Sequence, residues 1–453
     1  MSNTNFTLGH AGGKTIGSGD AVPHGQRYLF DLNGDGWHDF LTTGAFHPAD
    51  GPLAAATPRT GGLFWGGPNG YRAAGAEFPL ADFTNIHSRE LVKGDFNSDG
   101  IVDFYIANHG YDADPFPGER NQLFLSQRDG SSVAWRNASN NLPTAPDFTH
   151  SAAVGDVNGD GHLDIFAGNM TLGVSYLLLG NGTGAFQPST AFPAAAADVA
   201  LTSSQFADLD GDGWAELVLG TYHRTSDKQI LWNNGGSYAN AAISDLPSPP
   251  ASFGSDWMIY DIQATDVNFD GKPDLLLNYQ AHVLTGGWYL QVLVNQGNRV
   301  FEDQTDHYIS QPAAITSGMP NGADMHSWIE FLTPTDFNDD GRTDFFVAGI
   351  PWGGGPLQDN FPVFLVHQAN GAFDTITVGD LRAQGAPDFM FWGPRYAADA
   401  GSPVHTLVQG PFTYNNEVLL NTQTIEWTAP LTRLSSHGSI NTAVLSGARA
   451  NYE

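Results

Sequence analysis

Along this chain, short apolar runs alternate with polar, glycine-rich stretches at a nearly constant interval. Six of the runs read DFLTTG (39–44), DFYIAN (103–108), DIFAGN (164–169), ELVLGT (216–221), DLLLNY (274–279) and DFFVAG (344–349). Each is short, rich in β-formers and bounded by turn residues, which predicts a buried strand rather than a helix. A second phrase follows each run: LFWGGPNGYR (63–72), LFLSQRDGSS (123–132), YLLLGNGTGAF (176–186), ILWNNGGSY (230–238), VLVNQGNRVF (292–301), FLVHQANGAF (364–373) and the weaker VLLNTQTIEW (418–427). These predict a strand, a glycine turn and an aromatic that opens another strand. The unit is therefore strand, polar loop, strand, variable loop, strand, turn, strand. Seven units of roughly 60 residues predict an all-β chain, a single seven-bladed β-propeller over 1–453. Its blades are expected to begin near 25, 88, 150, 202, 259, 328 and 374, with 1–24 and 428–453 as closing segments. The pattern leaves open which terminus completes the last blade.

The polar phrase before each run is the most constant part of the pattern. It reads DLNGDGWHD from Asp31, DFNSDGIVD from Asp95, DVNGDGHLD from Asp156, DLDGDGWAE from Asp208, DVNFDGKPD from Asp266 and DFNDDGRTD from Asp336. Positions 1, 3, 5 and 9 always offer a side-chain oxygen, and position 6 is always glycine. Ca²⁺ takes six to eight oxygens, and alternating oxygen residues on a tightly curled backbone can supply them. The glycine admits the positive φ that such a curl demands. The expected side-chain ligands are Asp31, Asn33, Asp35 and Asp39; Asp95, Asn97, Asp99 and Asp103; Asp156, Asn158, Asp160 and Asp164. The later loops add Asp208, Asp210, Asp212 and Glu216; Asp266, Asn268, Asp270 and Asp274; Asp336, Asn338, Asp340 and Asp344. Trp37, Ile101, His162, Trp214, Lys272 and Arg342, at position 7, would lend their carbonyls, for about six Ca²⁺ sites in all.

Two other readings of the phrase are weaker. An EF-hand needs a glutamate at position 12 between flanking helices. Position 12 here is Thr42, Ile106, Ala167, Leu219, Leu277 or Val347, which excludes it. A plain hairpin turn with Asp and Asn capping their own backbone explains two of the residues, not an acid at position 9 six times in register. A seventh copy, DLRAQGAPD, keeps Asp380, Gly385 and Asp388 but sets Arg382 and Gln384 at positions 3 and 5. It predicts the same turn held by a guanidinium in place of the cation, without calcium.

The loops and phrases such as LLLGNGTGAF resemble the FG-GAP/VCBS repeats of integrin α-chain propellers and their bacterial relatives, over roughly Gly25 to Trp427. The resemblance implies a propeller, a set of calcium sites, and ligand binding on the face opposite the calcium loops. It implies little about activity, because one fold hosts many functions.

Charge and composition narrow the field. With 48 acidic against 18 basic residues and a net charge of -30, there is no basic stripe to release phosphate counterions, which argues against nucleic acid and anionic membranes. Nineteen of the carboxylates sit at loop ligand positions, so six bound Ca²⁺ would take the charge to -18. No apolar run is long enough to span a bilayer. The first twenty residues lack the charged start and apolar stretch of a secretory signal. With no cysteine there is neither a disulfide nor thiol catalysis. There is no phosphate-binding glycine loop with lysine, no HExxH and no G-x-S-x-G.

What remains is the face opposite the loops. Variable loops there carry His47, His109, Tyr111, Asp112, Arg120, Tyr222, His223, Arg224, His282, Trp288, Trp352, Arg395, Tyr396 and His405; the lead-ins to first strands add His87, Arg89, His150, Asp256, Trp257, Asp324, His326 and Trp328. Aromatic platforms with polar neighbours suit sugar rings. The leading expectation is an extracellular lectin- or adhesion-type module binding carbohydrate or a cell-surface ligand through His109, Tyr111, Arg120, His223, Trp352 and Tyr396. It could stand beside neighbouring domains of a larger secreted protein. The alternative is a polysaccharide lyase, as in seven-bladed ulvan lyases, using His109, Tyr111 and Arg120 or Tyr222, His223 and Arg224 for β-elimination. The plain reading of His87, His150 and His326 is satisfied structural histidines. For Trp257, Trp288 and Trp328 it is wedges between blades.

Overall fold

Four-stranded antiparallel sheets repeat down the chain in the computed structural model, which describes 26–383 and four outlying strands. Gaps fall at 38, 68–71, 130–131, 171–173, 198, 223–229, 254–256, 282–286, 310–326, 337, 339 and 352–358. Blade 1 is Arg27–Phe30, Asp39–Thr42, Gly62–Trp65 and Arg72–Ala73; blade 2 is Ser88–Gly94, Asp103–Asn108, Gln122–Asp129 and Ser132–Asn137. Blade 3 is Thr149–Gly155, Asp164–Asn169, Tyr176–Gly180 and Phe186–Pro188; blade 4 is Leu201–Ala207, Glu216–Thr221, Ile230–Leu231 and Ile243–Ser244. Blade 5 is Trp257–Thr265, Asp274–Ala281, Trp288–Asn295 and Phe301–Asp303; blade 6 is Ser327–Thr335, Asp344–Pro351, Pro362–His367 and Phe373–Thr377. First strands of successive blades pack side by side from blade 2 to blade 6, the arrangement of a β-propeller.

The second strand of each blade is buried on both faces, which is why its sequence reads as a continuous apolar run rather than an alternation. Its side chains reach the sheets on either side. Among the described residues the core is accordingly five clusters, each between two neighbouring blades. Trp257 lies edge-on to Tyr279 at 5.0 Å, and Trp288 meets Phe361 of the next blade at 5.7 Å. Both are wedges.

One feature of the first strands recurs. In blades 2 to 6 the pairing of first and second strand skips one residue: Arg89, His150, Thr202, Tyr260 and Glu330. A bulge of this kind re-aims a side chain out of the pleat. Here the five bulged residues meet one another. Arg89 Nη1 lies 3.3 Å from Glu330 Oε1, Arg89 Nε donates to His150 Nε2 at 3.1 Å, and the guanidinium sits 4.5 Å over the Tyr260 ring. His150 Nδ1 lies 3.1 Å from the Thr202 carbonyl, and Gln26 of blade 1 donates to Glu330 at 2.7 Å. The contacts of Arg89 with Glu330 and Tyr260, and of Gln26 with Glu330, join blades that do not follow one another in the chain, where the first strands converge.

A further four-stranded sheet joins both ends of the chain, in the order Leu8–Gly9, Gln423–Thr428, Val404–Gln409 and Arg395–Ala398. Leu8 pairs with Trp427 and Gly9 with Glu426, so the N-terminal strand is the outer one. The expected start of a last blade near 374 is corrected. Phe373–Thr377 is the fourth strand of blade 6, and Val378–Ala383 is a short helix docked on that blade by the buried Val378. Asp380 accepts the Thr377 N–H and hydroxyl, both at 2.8 Å, while Arg382 pairs with Asp359. With a guanidinium at position 3, this copy lacks the alternating oxygens that curl the other six, and its opening is helical instead. Gln384, Gly385 and Asp388 lie outside the described residues. Among the described residues, no helix is long and apolar enough to cross a membrane.

Candidate calcium loops and the opposite face

All six loops join first to second strands, and their acids fold the loop onto itself. In blade 2, Asp95 Oδ1 accepts the Asp99 N–H at 3.0 Å and Oδ2 the Gly100 N–H at 2.8 Å. Asn97 Oδ1 accepts the Asp99 N–H at 3.0 Å, and Asp99 Oδ1 the Ile101 N–H at 2.9 Å. In every loop the position-6 glycine, with φ between 81° and 92°, donates to the position-1 aspartate at 2.8 to 3.0 Å. Positions 1, 3 and 5 thereby turn their oxygens into one curl.

Position 9 plays a second part. Asp39, Asp103, Asp164, Glu216, Asp274 and Asp344 are at most 2% exposed. In blades 1 to 5 one oxygen accepts the N–H of position 2, at 2.7 to 3.0 Å. In all six an oxygen accepts an N–H in or just after the third strand: Gly66, Ser126, Gly180, Asn233, Asn295 or His367. Burial pushes Asp39 and Asp164 up to about 7, Glu216 to about 8, and Asp103 and Asp274 to about 6, against the pull of those N–H groups. Carboxylates so short of water have a strong reason to share a cation.

Blade 4 brings three of these acids together. Single oxygens of Asp208, Asp210 and Glu216 lie within 4.8 Å of one another, a spacing that suits a hard dication. Side-chain cations already touch some of the acids. Arg299 donates to Asp210 Oδ2 at 3.0 and 2.8 Å, Lys272 Nζ lies 2.6 Å from Asp270, and Arg342 pairs with Asp340. A cavity of about 550 Å³ opens between the loops of blades 4, 5 and 6, lined among others by Asp210, Phe269, Lys272, Arg342 and His367.

The opposite ends of the strands are more closed than the sequence suggested. His109 is 2% and Tyr111 6% exposed, and the Tyr111 hydroxyl donates to the Gly51 carbonyl at 3.1 Å. The Arg120 guanidinium is engaged by the turn after the third-to-fourth strand hairpin, donating to the carbonyls of Ser139, Pro143 at 3.2 Å and Leu142 at 3.3 Å. It is not brought to His109. Tyr222 is part-buried after its strand; His223, Arg224, His282, Asp256, Asp324, His326 and Trp352 lie outside the described residues, and Tyr396 is placed only as backbone paired to Leu407.

The residues that do gather there are histidines. His47 lies edge-on to His87 at 4.5 Å, His87 is 4.3 Å from His109, and His109 stacks on Phe148 at 4.5 Å. Burial, then neighbouring imidazoles and Arg89, hold His87, His109 and His150 well below the usual histidine range, so all three are neutral at pH 7. His150, with both ring nitrogens engaged by Arg89 and Thr202, is structural. The grouping was missed in the sequence. Its signal is positional: His47 and His109 each follow a second strand, and His87 leads into the first strand between them.

FG-GAP-like repeat matches cover residues 95–167, 156–219 and 208–277, each running from the first aspartate of one loop into the strand after the next. Over 95–277 this propeller is built of FG-GAP-like repeats. No curated protein sequence matches it. Solved structures similar to this FG-GAP propeller include BBS1N in complex with ARL6DN, at 9% identity and TM-score 0.43 over 94% of this chain and 98% of that one. The V. cholerae biofilm matrix protein Bap1 has 12% identity and TM-score 0.36 over 94% and 70%. The Bacillus licheniformis rhamnogalacturonan lyase PL11 has 10% identity and TM-score 0.41 over 94% and 76%.

Proposed function

We propose that this FG-GAP propeller is an extracellular, calcium-stabilised module that binds carbohydrate or another cell-surface ligand on the face opposite its loops. The observation that carries the metal half is one oxygen-lined curl built six times, with three acids of blade 4 already converged within 4.8 Å. Asp208, Asp210 and Glu216 would hold the ion there, and their counterparts elsewhere; when bound, it supplies the positive charge that lets the buried carboxylates ionise. Loops of the extracellular kind bind Ca²⁺ at about 10⁻⁴ to 10⁻³ M, so the cytosol would leave them empty. The sheet of Leu8–Gly9 with the three last strands serves as a seventh blade, because Arg395–Ala398 packs beside Arg27–Phe30 of blade 1. A strand from one terminus paired with three from the other fastens the ring.

Against a lyase built on Tyr111 and Arg120 stands what these two residues are doing. β-Elimination beside a uronate needs a base free to take a proton and a cation free to meet the carboxylate. Here the hydroxyl and the guanidinium are both committed to backbone carbonyls. The test is a glycan panel with acidic and neutral polysaccharides in millimolar calcium, read by binding and by near-ultraviolet absorbance. We expect saturable binding that a chelator abolishes, with flat absorbance. Rising absorbance from new carbon–carbon double bonds would make the protein a lyase, and no binding to any glycan would remove the carbohydrate reading.

A further inference from the structure

The histidine row at the far end of blade 2 has a geometry that packing alone does not explain. One ligand atom each from His87, His109 and Asp112 lie within 4.8 Å of one another. His87 Nδ1 and His109 Nδ1 are both buried without a hydrogen-bond partner, on rings that meet at 4.3 Å. An unsatisfied buried imidazole nitrogen costs free energy, and both histidines of this group carry one, which a bound ligand would relieve.

The backbone fixes that meeting. Glu119 accepts the N–H of Ile86 at 2.8 Å and of His87 at 3.0 Å, while the N–H groups of His109 and Gly110 both donate to the His87 carbonyl, at 3.0 and 3.2 Å. Gly110, at φ +74°, turns the chain sharply; a Cβ there would stand 2.6 Å from the Gly118 carbonyl oxygen. That turn carries exposed Asp112 back to the buried His109 and half-buried His87. Phe148 closes one face of His109 at 4.5 Å. The nearby Arg89 is no obstacle to a cation, since Glu330 neutralises it at 3.3 Å.

We propose that His87, His109 and Asp112 form a site for a divalent transition-metal ion of the zinc class, separate from the calcium loops at the other end of the same strands. Two imidazoles select borderline metals over Ca²⁺, which prefers oxygen alone. Three protein ligands, one of them at the surface, leave a position open to water or to an oxygen of a ligand held on that face.

The test uses the full chain in millimolar calcium, which fills the loops, and Co²⁺ as the spectroscopic probe with Zn²⁺ as competitor. One equivalent of Co²⁺ is expected to give intense visible bands of low coordination number, displaced stoichiometrically by Zn²⁺. Asp112→Asn, at an exposed position, should keep its melting temperature and weaken Co²⁺ binding roughly tenfold or more, and His109→Gln should abolish the bands. His109 is buried, so if that variant does not fold, Asp112→Asn with His87→Gln decides. Weak bands of the octahedral type only, or intense bands that persist in Asp112→Asn and His87→Gln, would overturn the proposal. A calcium titration on the same samples is independent of it, so loss of the zinc-class site leaves the loop reading standing.

Discussion

Glu90 shows what one acid largely shielded from water does to pH dependence. It follows the bulged Arg89 and accepts the Ala152 N–H, at 2.8 Å, from the neighbouring first strand. Burial pushes its carboxyl from 4.5 up to about 8, with the nearby Asp261 adding to the rise. A carboxyl raised in the folded state contributes its full stability below its unfolded value and loses it as pH climbs through the folded one. Between about 4.5 and about 8 the folded protein therefore pays to keep, or to lose, that proton. Glu90→Gln retains an oxygen for Ala152 and removes the charge. Its melting temperature should match the parent near pH 5 and exceed it by a few degrees near pH 9. Parallel melting curves across that range would show that Glu90 titrates like a solvent carboxyl.

At the scale of the element, the loop was legible and its attachment was not. Oxygens at alternate positions and an invariant glycine are local facts, and they foretold the curl around Asp95 or Asp266. By sequence alone, position 9 is an acid expected to help hold the metal. The structure gives it a mechanical duty as well, because Asp164 ties Val157 N–H to Gly180 N–H, joining loop to third strand. Asp164→Ala, measured by urea unfolding with chelator present, should cost about 2–3 kcal/mol, the price of leaving buried N–H groups unpaired. A loss seen only with calcium would mean the acid matters solely as a ligand. The bulges were harder to see. Arg89, His150, Thr202, Tyr260 and Glu330 share no chemistry, and a skipped residue leaves no mark on apolar periodicity. Yet each stands six residues before the first aspartate of its loop. Register with the loops was the available signal, and it encodes a position rather than a residue type. The ligand face was less legible for a related reason: composition marked Tyr111 and Arg120 as functional, but only three-dimensional packing reveals the carbonyls that engage them.

For the whole molecule the decisive quantity is charge. A formal -30 is concentrated where nineteen carboxylates crowd one end of the propeller, and side-chain cations such as Arg299, Lys272 and Arg342 offset only a few of them. Such a face repels itself unless bound ions share the charge. Chelation should therefore lower the melting temperature by ten degrees or so, an effect on the order of several kcal/mol if most loops lose an ion. Sodium chloride tests what kind of effect this is. The half-buried or exposed carboxylates at positions 1 and 5 are screened at about 0.5 M salt, whereas the buried position-9 acids are not. Salt should thus restore part of the lost stability in the chelated protein and almost none in the calcium-loaded one. Full restoration by salt would reduce the loops to a pool of surface charge with no need of coordination. An unchanged melt on chelation would remove calcium from the architecture altogether, and the six curls would then stand on their N–H bonds alone.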